Sequence, residues 1–140
     1  MSFREKSAWA SIATFLVIFG VYFWEMADVI VAGETETYPY YSLLVGFVIA
    51  SIVVEIILQA IVAARVPDEA NAARDEREKL IDLKATYIAF YVLVIGALAA
   101  AGAIAWDIQP FYTANGLFLT VVVTEVVKYA GEIVYFRRGV

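Results

Sequence analysis

The sequence predicts an all-α, polytopic membrane protein with four transmembrane helices in two tandem hairpins and both termini in the cytoplasm. Three observations predict it. Of 140 residues, 63% are hydrophobic and only 18% charged, against roughly 45–50% and about 25% in soluble domains. The apolar residues fall into four separate runs, each reaching the roughly 20 residues that a membrane helix needs. Lys and Arg gather between and outside alternate runs, the pattern of cytoplasmic loops.

The first run covers about 8–31. It is too long for a cleavable signal peptide, and no small-residue cleavage site follows it. The second covers about 40–64, the third about 85–106 and the fourth about 111–136. Pro39 and Pro110 stand where the second and fourth runs begin, where a missing N–H does least harm. Arg4 and Lys6 precede the first run. Arg65, Arg74, Arg77, Lys79 and Lys84 lie between the second and third, and Arg137 and Arg138 follow the fourth. The other connections, Gly33–Pro39 and Asp107–Pro110, contain no Lys or Arg. Tyr38, Tyr40 and Tyr41 at one outer turn, and Trp106, Phe111 and Tyr112 at the other, supply the rings expected at a headgroup boundary.

Residues 67–84 read as a cytoplasmic helical extension running unbroken into the third span. Pro67, Asp68 and Glu69 suit the positive end of a helix. Arg74/Glu78 and Asp75/Lys79 attract at i,i+4, whereas Glu78/Asp82 repel. Such a segment is a candidate dock for a cytoplasmic protein.

The hairpins resemble each other. Gly46, Glu55 and Ala60 of the second run match Gly116, Glu125 and Ala130 of the fourth at a constant offset of 70. Ile12-Ala13, Phe15-Leu16, Ile18 and Gly20 match Ile88-Ala89, Tyr91-Val92, Val94 and Gly96 at an offset of 76. Duplication would make Glu55 and Glu125 equivalent positions about an axis along the membrane normal; chance similarity between apolar helices is the alternative. Around Gly96 and Gly102 the third run is nearly all Gly and Ala, a surface that lets backbones approach closely. The bulky Tyr22, Phe23, Trp24 and Met26 of the first run are its expected partners.

Charges inside the spans are the candidate site. Glu125, Lys128 and Glu132 follow one another at i,i+3 and i,i+4, and Glu55 and Gln59 at i,i+4, so each set shares a helical face. Glu55 lies ten residues before Arg65, and Lys128 nine before Arg137, placing them within roughly one turn of the same depth. A charge at the bilayer centre costs roughly 2.5–3.5 kcal/mol or more, so Glu55, Glu125 and Lys128 are expected to face inward and meet. Two acids against one base invite an exchangeable proton or a bound cation. Tyr87, Tyr91 and Thr124 are candidate supporting groups. Glu25 and Asp28 are acids of the outer boundary. Two other readings stand beside a proton or cation pathway: a silent ion pair that fixes helix register, and an interface with another membrane subunit.

Several chemistries are excluded. With no His and no Cys, there is no disulfide, histidine base, thiol nucleophile or His/Cys metal site. A formal charge of −5 argues against nucleic acid as a partner. No nucleophile–base pair, phosphate loop or cofactor motif supports an enzyme. No catalytic residue, metal site or cofactor is therefore expected. The expected partners are the bilayer, further copies of the chain and other membrane subunits.

At Asp75-Glu76-Arg77-Glu78, followed by Ile81 and Ala89-Phe90-Tyr91-Val92-Leu93, the chain resembles an uncharacterised family of small bacterial four-span membrane proteins. That family carries an Asp-Glu-Arg motif at the cytoplasmic entry to the third span. The resemblance implies the bacterial inner membrane as location and lends no activity. Small multidrug exporters also have four helices and a membrane carboxylate. Their essential Glu lies in the first span, where this chain has only Glu25, near its outer end.

Overall fold

A computed structural model describes residues 3–65 and 75–138. They form four helices: α1 (Phe3–Ala32), α2 (Tyr40–Arg65), α3 (Glu76–Ala105) and α4 (Pro110–Arg138). At 1.5 Å per residue, helices of 26 to 30 residues run about 39–45 Å, beyond the roughly 30 Å hydrocarbon core of a bilayer. Three of them, α1, α2 and α3, are both long and apolar enough to cross a membrane. α4 is as long but more polar, carrying Thr113, Asn115, Thr120, Thr124, Glu125, Lys128 and Glu132.

The turns explain where the helices stop. α1 ends on Gly33 at φ +73°. The Glu34 N–H reaches back to the Val29 carbonyl at 3.1 Å, and that of Gly33 to Ile30 at 3.1 Å, which caps the last carbonyls in a Schellman motif. α3 ends in the same way around Asp107, at φ 56°. Here Ile108 bonds Ala103 at 2.9 Å and Asp107 bonds Ile104 at 3.1 Å. The two turns touch through Thr35 and Gln109, 3.3 Å apart.

Of the extension expected over 67–84, the structure describes residues 75–84. Asp75 takes an extended backbone and its side chain accepts from the Glu76 N–H. It therefore caps the start of α3, as Asp favours. Residues 76–84 are helical, continuous with the apolar part of α3; residues 67–74 lie outside the described part.

The helices pack in the order α2–α1–α4–α3. α1 and α4 form the centre, with α2 on the far side of α1 and α3 on the far side of α4. This corrects the pairing expected between the bulky part of α1 and the small residues of α3. A Cβ on Gly96 would collide with the Thr120 side chain of α4, so that smooth surface serves α4. Gly102 differs, because its Cβ would meet only the Trp106 ring at 3.8 Å. The order also departs from two-fold symmetry: among the described residues α1 lies along α4, with no comparably extensive contact of α2 on α3.

Towards the turns, Phe19, Tyr22, Met26, Val29, Tyr40, Phe111, Phe118 and Val122 form a continuous apolar core. At the basic end only Ala8, Ile12 and Ile133 cluster. Large apolar side chains elsewhere point outward, including Ile49, Ile52, Ile56 and Ile57 of α2 and Ile95 and Leu98 of α3. A soluble protein hides such residues; a lipid-facing surface is made of them.

Candidate functional site

α1 and α2 meet at the basic end through small polar side chains. Ser7 and Ser11 share one face of α1, and Glu55 and Gln59 share the facing side of α2. Their i,i+4 spacing stacks each pair, and serine is small enough to let the backbones close in. Ser7 Oγ donates to Gln59 Oε1 at 2.6 Å, and Ser11 Oγ donates to Glu55 Oε1 at 2.5 Å. Gln59 Nε2 donates to Glu55 Oε1 at 2.8 Å and to Ser11 Oγ at 3.0 Å. The carboxylate is thus held through one oxygen. Its second, Oε2, is buried and has no hydrogen-bonding partner among the described residues.

This knot forms one wall of a cavity of about 360 Å³ to which all four helices contribute. α1 supplies Arg4, Ser7 and Ala8, and α2 supplies Glu55 and Gln59. The remaining wall comes from Glu78, Ile81 and Asp82 of α3 and Lys128, Tyr129, Glu132 and Phe136 of α4. The lining carboxylates outnumber the bases. Arg4 Nε bonds Glu78 Oε2 at 2.7 Å, and Lys128 Nζ lies 3.7 Å from Asp82 Oδ1. The acids Glu78 and Asp82, which repel along α3, are thereby each matched by a base from another helix. Beyond the cavity, Arg137 Nε reaches Glu5 at 3.1 Å, and Arg77 donates to the Phe136 carbonyl at 3.3 Å. These contacts tie α4 to α1, α1 to α3 and α3 back to α4.

Of the expected cluster, the structure brings Glu55, Gln59, Lys128 and Glu132 to one cavity. Glu125 is not in its wall. The partner of Lys128 is Asp82 rather than Glu125 or Glu55. Two physical reasons account for this. α3 packs along α4 more extensively than any other pair, and the long lysine stem reaches towards the helix end, where its charge is cheapest. Tyr87 and Tyr91 are exposed and bond each other at 2.7 Å, away from the cavity. Thr124 Oγ1 returns to the Thr120 carbonyl of its own helix at 2.8 Å. Glu25 and Asp28 are exposed in the half of α1 nearer the turns.

The contributors missed in the sequence were Arg4, Ser7, Ser11, Glu78, Asp82 and Tyr129. The i,i+4 spacing of Ser7/Ser11, matching Glu55/Gln59, was the available signal. Among the described residues no three carboxylates converge closely enough to hold a metal ion. The arrangement instead suits a proton or a small cation meeting one carboxylate oxygen. Comparison with protein families, curated proteins and solved structures finds no match to the chain.

Proposed function

We propose that this chain is a small, non-catalytic integral membrane protein that moves or relays a proton or small cation through its polar cavity. On this reading α4 also spans the bilayer, shielded from lipid by its central place between α1 and α3. Both termini and the α2–α3 connection face the cytoplasm of a bacterial inner membrane, because the basic residues gather there. The cavity then opens on that side. A single bundle leaves little room for a full pathway, so the working form is an oligomer or a complex with other membrane subunits.

The observation that carries the reading is Glu55. An acid oxygen buried without a partner is costly, and a cost that an arriving proton or cation relieves is the basis of exchange. Ser11 and Gln59 hold the other oxygen and fix the direction in which the carboxyl presents itself.

The test is reconstitution into liposomes loaded with a pH-sensitive dye, with a potential imposed by potassium and valinomycin. Wild-type protein should move protons, and Glu55→Gln should abolish the flux while helicity and elution volume stay unchanged. No flux from the wild type under either polarity would overturn the carrier reading. A stoichiometric foreign protein co-purifying from native membranes, together with absent flux, would favour an accessory subunit docking through residues 67–84.

A further inference from the structure

A second place in the molecule carries charge that the cavity does not use. α3 is segregated: Glu78 and Asp82 turn to the cavity, whereas Lys84 lies in a groove between α3 and α4 with Leu83, Tyr87, Ile88 and Tyr135, of about 500 Å³. Lys84 Nζ sits over the Tyr135 ring, 5.8 Å from its centre. Arg4, Lys128 and Arg137 each pair with a carboxylate; Lys84 makes no ion pair among the described residues. The groove is apolar and open, with Leu83 beside the cation 65% exposed and Ile88, one turn further from the basic end, 44% exposed.

We propose that this groove binds an anionic phospholipid, the phosphate resting on Lys84 and an acyl chain lying along Ile88 and Ile95. The order of groups fits that ligand. Lys84 and Tyr135 stand towards the basic helix ends, and Ile88 and then Ile95, both exposed, continue away from them along the same face of α3. A zwitterionic lipid brings its own ammonium next to Lys84, which repels it; an anionic headgroup meets a base with no carboxylate partner among the described residues. The site requires only that the protein sits in a bilayer and is independent of whether the cavity moves ions.

The experiment is native mass spectrometry of the full chain, released from detergent with phosphatidylglycerol or phosphatidylcholine of identical acyl chains. One basic group near the headgroups is worth a preference of about fivefold, so the wild type should bind phosphatidylglycerol about fivefold more tightly. Lys84→Met should remove the preference and Lys84→Arg should keep it, with circular dichroism confirming that both fold. Lys79→Met, about 140° round α3 from Lys84, should also keep it. Equal binding of the two lipids by the wild type would overturn the site. So would an equal loss in Lys79→Met and Lys84→Met, which would mean diffuse attraction to a charged surface.

Discussion

The two halves of the molecule use the same central helices for opposite ends. Towards the turns, α1 presents Phe19, Tyr22 and Met26, and rings fill the space. Tyr22 packs edge-on against Phe118 at 5.1 Å and Phe47 at 5.3 Å, and Phe19 against Phe118 at 5.3 Å. A deep polar contact there is closed by its own partners: Tyr22 Oη donates to Asn115 Oδ1 at 2.7 Å, and Asn115 Nδ2 donates to the Phe111 carbonyl at 2.8 Å. At the basic end the same face of α1 presents Ser7, Ala8 and Ser11, and the facing helices bring charged groups beside the rings of Tyr129 and Phe136. Small side chains there leave a cavity where large ones would leave none. The difference teaches that side-chain size along one stripe of α1 decides which half is a dry plug and which a polar chamber.

The largest expected effect tests the plug. Tyr22 is fully buried, and Tyr22→Ala should cost about 3–5 kcal/mol, as large aromatic truncations do. Ser11→Ala at the other end should cost about 1.5–3 kcal/mol, since its hydroxyl both donates to Glu55 and accepts from Gln59. Thermal unfolding in a single detergent compares the two. Equal losses would break the distinction between a packed half and a polar one.

Gly96 comes next. Gly96→Leu should destabilise by about 1–3 kcal/mol through overpacking against Thr120. Gly102→Leu should stay within about 0.5 kcal/mol, since only the end of the Trp106 ring is near. A penalty at Gly102 as large as that at Gly96 would mean that α3 meets a further surface near the turns, such as a second copy of the chain.

The helices themselves were legible because their signals are local: long apolar runs, prolines at the starts and bases at alternate connections. The partner of each helix was not. The small residues around Gly96 advertise a close neighbour, but nothing local to them chooses α4 over α1. In the site, Glu55, Gln59, Lys128 and Glu132 were found because a charge in an apolar run stands out. Glu78 and Asp82 were read as parts of a solvated extension because they precede the apolar part of α3. Ser7 and Ser11 were passed over because serine is unremarkable in a membrane helix until its partner is known. The offset of 70 paired Glu55 with Glu125, yet Glu125 stands outside the cavity wall, since the unsymmetrical packing brings Asp82 to Lys128 instead.

A smaller effect concerns the turns that close the plugged half. Both are Schellman motifs, one built on Gly33 and the other on Asp107. A side chain in the left-handed region costs up to about 1–2 kcal/mol, less for Asp than for most residues. Asp107→Gly should therefore raise stability by up to about 1 kcal/mol, read as a higher midpoint of thermal unfolding. Gly33→Ala should lower it by a similar amount. Unchanged midpoints in both would mean that these turns relax without cost, and that the plug alone holds the hairpins closed.

The smallest expected effect separates the chamber from the plug by its dependence on salt. Lys128 and Asp82 stand 3.7 Å apart with side chains about a third exposed, so their coupling is that of a partly solvated pair, at most about 1 kcal/mol. A double-mutant cycle of Lys128→Met with Asp82→Asn should recover that coupling in low salt. It should shrink at high ionic strength, as ions entering the cavity screen the pair. The cycle of Lys128→Met with Glu125→Gln should be additive, because Glu125 is not the partner. The Tyr22 and Asn115 pair offers the control: Tyr22→Phe with Asn115→Ala should show a coupling that salt does not alter, since no charge and no open cavity is involved. Salt-independent coupling at Lys128 would mean that the chamber is as closed to ions as the plug, and the route by which a proton or cation reaches Glu55 would then have to run through an opening of the helices rather than through the cavity mouth.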